Sequence, residues 1–245
     1  MSDLRDRVAL VTGGSRGIGK AVARVLAEAG AVVAVNYREH GDEALAVAAA
    51  IENDGGRAAA FGADVSVRTA VQSMVRQIEQ QFGSIDILVN NAGMAVVRSL
   101  EDITEDDFDR AIAVNLKSVF LCTQAVLSGM RQRRWGRIVN ISSIGARIGA
   151  GSVSIAYGAS KAGVEGLTRS YALRLAPEGV TVNAVAPGLV DTDMGQPLIA
   201  AGVVNRIPVG RAGLGDEIAQ AVLMLASNGY MTGQTIGVNG GSLFS

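Results

Sequence analysis

Tyr157 and Lys161 stand four residues apart in a helical stretch, a spacing that stacks two side chains on one face within reach of each other. A tyrosine titrates near about 10 and handles protons poorly at neutral pH unless a positive charge stabilises its phenolate. Lys161 could supply that charge, although a Tyr and Lys so spaced are by themselves more often a surface pair. A second candidate is Thr12-Gly13-Gly14-Ser15-Arg16-Gly17-Ile18-Gly19. Missing side chains there let backbone N–H groups approach an anion at a helix N-terminus. Nothing after Gly19 supplies the third glycine of G-x-G-x-x-G, and glycine-rich turns also serve tight turns in general. Its position at the first strand-to-helix turn favours the pyrophosphate of a dinucleotide. One cysteine, Cys122, and one histidine, His40, exclude a disulfide framework, a cysteine zinc cluster and multi-histidine metal sites. The chemistry must therefore come from hydroxyl, amine, amide or carboxylate groups. Ser152 and Ser154 have no histidine to activate them and read as polar loop groups.

The elements that must position these groups alternate along 245 residues. Apolar runs at Arg7–Thr12, Ala31–Asn36, Ala58–Phe61, Ile85–Val89, Arg137–Ser142, Val180–Ala186 and Thr235–Val238 read as strands. Helical periodicity fills Ile18–Ala29, Asp42–Glu52, Val67–Phe82, a long helix around Asp106–Gln132, then Ala156–Ala176 and Glu217–Ala226. Seven short apolar strands separated by helices predict an α/β fold, a doubly wound parallel sheet covered on both faces, in one domain. Gly188–Gly215 is too long for an ordinary connection and follows a strand's C-terminal end, which suggests a substrate lid. Lys+Arg 22 against Asp+Glu 23 leaves a net charge of −1, so no global field draws the chain to nucleic acid or an anionic membrane. The N-terminal MSDLRDR lacks the apolar core of a signal peptide, and no run approaches the ~18 apolar residues of a membrane span. A soluble cytoplasmic protein is the expectation.

In order along the chain stand the glycine loop, Asp64 in Ala-Asp-Val, Asn90-Asn91-Ala92-Gly93, Asn115, Ser143, Tyr157-Gly158-Ala159-Ser160-Lys161, Pro187-Gly188 and Val238-Asn239-Gly240-Gly241. This set resembles the short-chain dehydrogenase/reductase family, whose phosphate loop is T-G-x-x-x-G-x-G, across essentially the whole chain. Within the family it is most similar to the 3-oxoacyl-acyl-carrier-protein reductases of fatty acid biosynthesis. The resemblance implies a Rossmann-type fold and a nicotinamide dinucleotide cofactor. It also implies that Ser143 bonds the substrate carbonyl, Tyr157 moves the proton, Lys161 holds the nicotinamide ribose, and Asn115 holds a water linking Lys161 to solvent. Gly13, Ser15, Arg16, Gly17, Ile18 and Gly19 would cradle the pyrophosphate, with Asp64 and Val65 at the adenine. Asn91, Ala92 and Gly93 would line the riboses, and Pro187, Gly188, Val190 and Thr192 the carboxamide end. Ser143 precedes Tyr157 by fourteen positions, where many members show thirteen. The extra residue is placed in the glycine-rich stretch Gly145–Gly151, which keeps Ser143 rather than Ser142 as the catalytic serine.

At the end of the second strand an acid would bond the adenosine ribose and repel a 2′-phosphate. Here Asn36-Tyr37-Arg38 offers none, and Arg16 with Arg38 could clamp a phosphate through their planar forks. NADP(H) is the expected cofactor, with NAD(H) as the alternative because Glu39 and Asp42 lie nearby. Arg131, Arg133, Arg134 and Arg137 gather around Trp135 and could receive an acidic carrier protein, or simply solvate a helix end. Glu178 stands where carrier-protein reductases of this type often present a basic residue, and counts against the carrier. Cys122 reads as core and His40 as surface. The small residues Ala156, Ala159, Gly163 and Gly166 let another helix approach, and the family pairs this helix across a homotetramer. The expected activity is NADPH-dependent reduction of a 3-oxoacyl thioester. The alternatives are another small ketone, sugar, polyol or steroid alcohol and, in another class, a non-catalytic dinucleotide-binding regulator. Apolar Ala95, Val96, Val97, Ile148 and Gly188–Gly202 suit a ketone or acyl chain, and the intact Asn115, Ser143, Tyr157 and Lys161 argue against the regulator.

Overall fold

Val8–Val11, the first strand β1, is buried at every residue, as a strand covered on both faces must be. The computed structural model describes residues 3–149 and 154–244. After β1 come α1 (Gly17–Glu28), β2 (Val32–Tyr37), α2 (Gly41–Asn53), β3 (Arg57–Gly62), α3 (Arg68–Phe82), β4 (Ile87–Asn90), α4 (Glu105–Ile112) and α5 (Ser118–Arg133). They are followed by β5 (Gly136–Ile141), α6 (Gly145–Ile148), α7 (Ile155–Leu175), β6 (Val180–Pro187), α8 (Gln196–Ala200), α9 (Gly215–Ser227) and β7 (Thr235–Val238). The seven strands form one sheet in the order β3-β2-β1-β4-β5-β6-β7. All pairings are parallel, with Val11 beside Val35 and Val89, and Asn140 beside Asn90 and Ala184. Strand order reverses between β1 and β4, the crevice where open α/β sheets bind ligands.

Alternating residues of each strand feed two cores. Val11, Val33, Val89, Val139 and Val185 pack against Val22 and Leu26 of α1, Val47 of α2, and Ile218 and Leu225 of α9. Leu10, Ala34, Leu88, Ile138 and Val182 face the other side, against Met74 and Ile78 of α3, Leu121 and Met130 of α5 and Leu175 of α7. Fully burying each such Val or Leu contributes ~1.5–3 kcal/mol, so the sheet is the rigid frame and its C-terminal edge the platform for the loops.

Four expectations are refined. The long helix is interrupted by a π turn, Ala113–Lys117, between α4 and α5. The joined Glu105–Arg133 has an 18-residue window of mean hydropathy 1.4 and is long enough to cross a membrane, contrary to the expectation of no such run. That apolarity serves the core, where Leu121, Cys122, Val126 and Met130 are buried. The glycine-rich stretch after Ser143 begins as a helical turn, α6; its residues 150–151, and with them part of the proposed insertion, lie outside the described residues, as does Ser152. Ser154 caps α7, its Oγ accepting from the Tyr157 N–H at 3.3 Å. Finally, 188–215 is no open excursion: a Val190–Gly213 bridge closes its base, with Asp191 N–H donating to the Gly213 carbonyl at 2.8 Å.

Candidate active site

The glycine loop is built against the ends of β2 and β4. Thr12 Oγ accepts the N–H groups of Asn91 at 2.9 Å and Ala92 at 3.0 Å, while Asn91 Nδ2 donates to the carbonyls of Thr12 and Gly13 at 3.0 and 2.9 Å. Asn36 Oδ1 accepts from Gly13 N–H at 3.2 Å, and its Nδ2 is taken by the Phe61 and Ala63 carbonyls. Asn36 thus shapes the cradle from below, with a buried side chain, rather than facing a ligand. A Cβ at Gly19 would lie 2.2 Å from the Gly13 carbonyl oxygen, one at Gly13 3.0 Å from Ala92 Cα, and Gly13 and Gly17 both hold positive φ. The loop therefore closes only with glycine at these positions. Arg16, the N-cap of α1, makes no side-chain capping bond, and the first turn holds no acid. Ser15, Arg16, Gly17 and Ile18 so present an uncapped helix N-terminus, which fits an anionic pyrophosphate.

Around this cradle, Tyr37 folds back, its ring filling the space beside Gly41 and Gly62. Arg38 pairs with Glu39 and lies 3.9 Å from Asp64. Arg16 pairs with Asp193 of the 188–215 segment at 2.9 Å. Both candidate phosphate clamps are thus held by carboxylates. Burial pushes the Asp64 carboxyl up, but hydrogen bonds from Ser66 and the Arg38 charge bring it below its ordinary value. Val65 and Val190 are buried. Thr192 lies against Gly17, and Gly188 approaches Asn239 so closely that a Cβ would lie 2.9 Å from its Cα.

Beyond β4 and β5 the four polar residues of the predicted tetrad converge. Asn115, in the π turn, is fully buried; its Oδ1 accepts from Met94 N–H at 2.8 Å, and its Nδ2 donates to the Met94 carbonyl and to Ser160 Oγ at 3.0 and 3.1 Å. Ser160 Oγ in turn donates to the Tyr157 carbonyl at 2.7 Å. Lys161 is buried and its Nζ donates to the Ile141 carbonyl at 2.7 Å. Gly93 fits between, where a Cβ would lie 3.4 Å from Asn115 Oδ1 and 3.6 Å from Lys161 Nζ. The Ser143 side chain lies near enough to the Tyr157 hydroxyl to favour its phenolate, and Ser143 Oγ accepts from Gly145 N–H at 3.0 Å. Ser142 turns inward instead, its Oγ directed to the Lys161 carbonyl and to Glu165.

The electrostatics differ from the expectation in one respect. Burial pushes the Tyr157 phenol above its ordinary value, opposed by the Ser143 hydrogen bond, whereas a lowered value was expected from Lys161. The reason is geometric: Lys161 Nζ sits 5.8 Å from the Tyr157 ring centroid and is committed to a backbone carbonyl. Burial also brings the Lys161 ammonium down to about 8. The Asn115 side-chain amide is taken by Met94 and Ser160, so a relay water would use another group of that residue. Sequence reasoning passed over Ser160, and over the buried run in which Asn90 Nδ2 donates to Asn140 Oδ1 at 2.8 Å and Asn140 Nδ2 to Thr168 Oγ at 2.9 Å. The signal was available: Asn at strand ends otherwise made of Val and Ile is a buried amide that must find a partner.

The arginine cluster lies at the opposite edge of the sheet, where β5 begins. Arg131 is paired with Glu178, Arg134 donates to the Pro177 carbonyl, Arg133 pairs with Asp86, and Arg137 stacks on Trp135. Of the small-residue face, Ala156 is buried within the chain. Gly163 and Gly166 line an open apolar groove with Ile112, Leu116, Phe120 and Leu167.

Residues 7–201 match the family model described as short chain dehydrogenase. The chain is 44% identical over 245 residues to a 3-oxoacyl-[acyl-carrier-protein] reductase of Synechocystis sp., covering 98% of each. It is 45% identical over 242 residues to the corresponding FabG of Staphylococcus epidermidis, covering 96% of this chain and 98% of that one. Among solved structures, a dehydrogenase/reductase from Sinorhizobium meliloti superposes with a TM-score of 0.92 at 38% identity, covering 99% and 97% of the two chains. With its glycine cradle at the β1/β4 crevice and its Ser, Tyr, Lys and Asn gathered beside it, the chain belongs to the short-chain dehydrogenase family and is an oxidoreductase acting on CH–OH and C=O groups with a nicotinamide dinucleotide.

Proposed function

We propose that this enzyme reduces the 3-oxo group of an acyl thioester to the 3-hydroxy product with NADPH. The observation that carries the reading is the gathering of Ser143 and Tyr157 beside a buried Lys161 at the edge of the glycine cradle. In this reading Ser143 donates a hydrogen bond to the ketone oxygen and Tyr157 gives that same oxygen its proton. Lys161 and Gly93 face the ribose of the dinucleotide, and Asn115, through Met94, fixes the strand end on which Gly93 lies. When bound, the dinucleotide supplies the hydride. Lys161 would hold the ribose hydroxyls of the dinucleotide, with its ammonium on the side of Tyr157. The preference for NADPH rests on the end of β2, which holds no acid facing the ribose, and on Arg16 and Arg38. Residues 188–215 act as the lid of a single catalytic unit. The segments around the site carry exposed apolar side chains, Val97, Ile148, Ile155 and Met194, which suits an acyl chain better than a sugar.

A second reading, a small free ketone or coenzyme A thioester in place of a carrier-bound substrate, is favoured by one observation. Glu178 neutralises Arg131, and Arg134 is turned onto the Pro177 carbonyl, so the patch offered to an acidic carrier is quenched. We infer a cytoplasmic homotetramer, in keeping with the single reduced, buried Cys122 and the open groove of Gly163 and Gly166. Oxidation of NADPH and NADH at 340 nm with acetoacetyl-CoA, beside acetoacetyl-carrier protein and a panel of ketones and sugars, tests these readings. Fast thioester turnover with NADPH supports the first. Turnover of coenzyme A thioester but not carrier thioester supports the second, and turnover confined to other carbonyls or to NADH overturns the thioester or the NADPH assignment.

A further inference from the structure

We infer that Glu165 is a positioning residue for Ser143, bracing the chain that carries this hydroxyl against the helix that carries Tyr157; the inference rests on the reading that these two hydroxyls act on the carbonyl. Glu165 is 5% exposed, and a carboxylate so far from water persists only where charges and donors surround it. Its donors come from either side of Ser143. The Ser142 hydroxyl lies 3.3 Å from Oε1 and equally 3.3 Å from the Lys161 carbonyl, between which its one proton is shared, and Arg147 Nε, from α6, donates to Oε2 at 3.3 Å. Arg169, one helical turn further along α7, stands 3.9 Å from Oε2 with a largely exposed side chain and adds little.

On α7, Glu165 follows Lys161 by one turn and Tyr157 by two, on the face turned to the core, where Lys161, Val164, Glu165 and Thr168 are all buried. The segment from Ser142 to Ile148 is held to β6 by backbone bonds, Ser142 N–H to the Val185 carbonyl at 2.8 Å and Ile144 N–H to the Pro187 carbonyl at 3.0 Å, and Ser142 Oγ also has the Lys161 carbonyl of α7 within 3.3 Å. The backbone bonds set its height above the sheet, and its distance from α7 is left to side chains. Among the described residues, Glu165 alone accepts from side chains on both sides of Ser143, and in this inference it braces the Ser143 hydroxyl relative to that of Tyr157. Small displacements of one reacting group from another cost rate steeply, whereas the glycine cradle shares no bond with Glu165.

The test is a cycle of Glu165→Gln, Arg147→Gln and the double variant, each assayed for kcat with whichever carbonyl the wild-type enzyme reduces, and for dinucleotide Kd by titration. The expected result is a fall in kcat of about tenfold in each single variant, a double variant no slower than the slower single, and a Kd within about twofold of wild type. Folded variants whose kcat stays within twofold of wild type, or whose dinucleotide affinity falls in step with kcat, overturn it. Should Glu165→Gln fail to fold, Arg147→Gln, on the more exposed partner, decides alone. Ser143→Ala is the control: if it leaves kcat unchanged, the assignment of the hydroxyl pair fails rather than the brace.

Discussion

Replacing Tyr157 with Phe removes one oxygen and leaves the ring beside Lys161, so the loss should fall on proton delivery. The expected outcome is a drop in kcat of about 10²–10⁴-fold, the range for a positioned general acid, with dinucleotide affinity unchanged in a fluorescence or calorimetric titration. Lys161 makes a second prediction through its proton. The ordinary lysine value is 10.5 and burial brings it to about 8 in the fold. Between those values the unfolded chain binds more protons than the native one, so this group's contribution to stability rises with pH. Denaturant unfolding of wild type and Lys161→Met at a series of pH values should show the wild type gaining on the variant from about pH 8 to pH 10.5; a flat difference would sink the assignment. The spacing of Tyr157 and Lys161 was legible because one helix carries both. The raised phenol was not, because it depends on where Lys161 Nζ goes, and its partner Ile141 lies twenty residues away on β5.

At the level of elements, the π turn at Ala113–Lys117 locally rewinds the helix and sets Asn115 against Met94 and Ser160, as π turns often do at functional sites. Asn115→Ala leaves the Met94 N–H and carbonyl without their partner. It should cost about 1–3 kcal/mol in unfolding free energy by chemical denaturation. The sequence pattern in this region showed a single long helix, since one inserted residue hardly disturbs an apolar periodicity. The segment 188–215 makes a prediction of its own through the Arg16–Asp193 pair, which joins it to the glycine loop at 2.9 Å. If Arg16 grips the 2′-phosphate, Asp193 competes for it, and a solvent-exposed pair is worth ~0.2–1 kcal/mol. Asp193→Asn should therefore tighten NADPH by up to about fivefold and leave NADH unchanged in paired titrations, whereas Arg16→Ala should weaken NADPH alone.

For the molecule as a whole, the groove between α4–α5 and α7 is lined by Ile112, Leu116, Phe120, Gly163, Gly166 and Leu167, with Lys117 at its side, and its surface is nearly all apolar. A Cβ at Gly163 would lie 2.7 Å from Leu116 Cδ2, so glycine there lets Leu116 lie flat and keeps the groove shallow enough for a second helix. Leu116→Arg places a charge in that face. Light scattering after gel filtration should show the wild type as a tetramer and the variant as a smaller species; an unchanged mass would remove this groove from the interface.

Composition and periodicity alone determined the alternation of strand and helix, the parallel sheet and the glycine cradle, because each is dictated by side chains close together in the chain: runs of Val and Ile, a 3.6-residue repeat, glycines at a strand-to-helix turn. The motif set Asn115, Ser143, Tyr157 and Lys161 was likewise readable as a series of positions. What only the tertiary structure decided was how distant segments meet. It turned Ser142 inward and Ser143 towards Tyr157, tied Asn36 under the glycine loop, quenched Arg131 with Glu178, and enclosed Glu165 between Ser142 and Arg147. Each of these joins residues on different elements, and the burial that makes such contacts strong arises only when the elements pack.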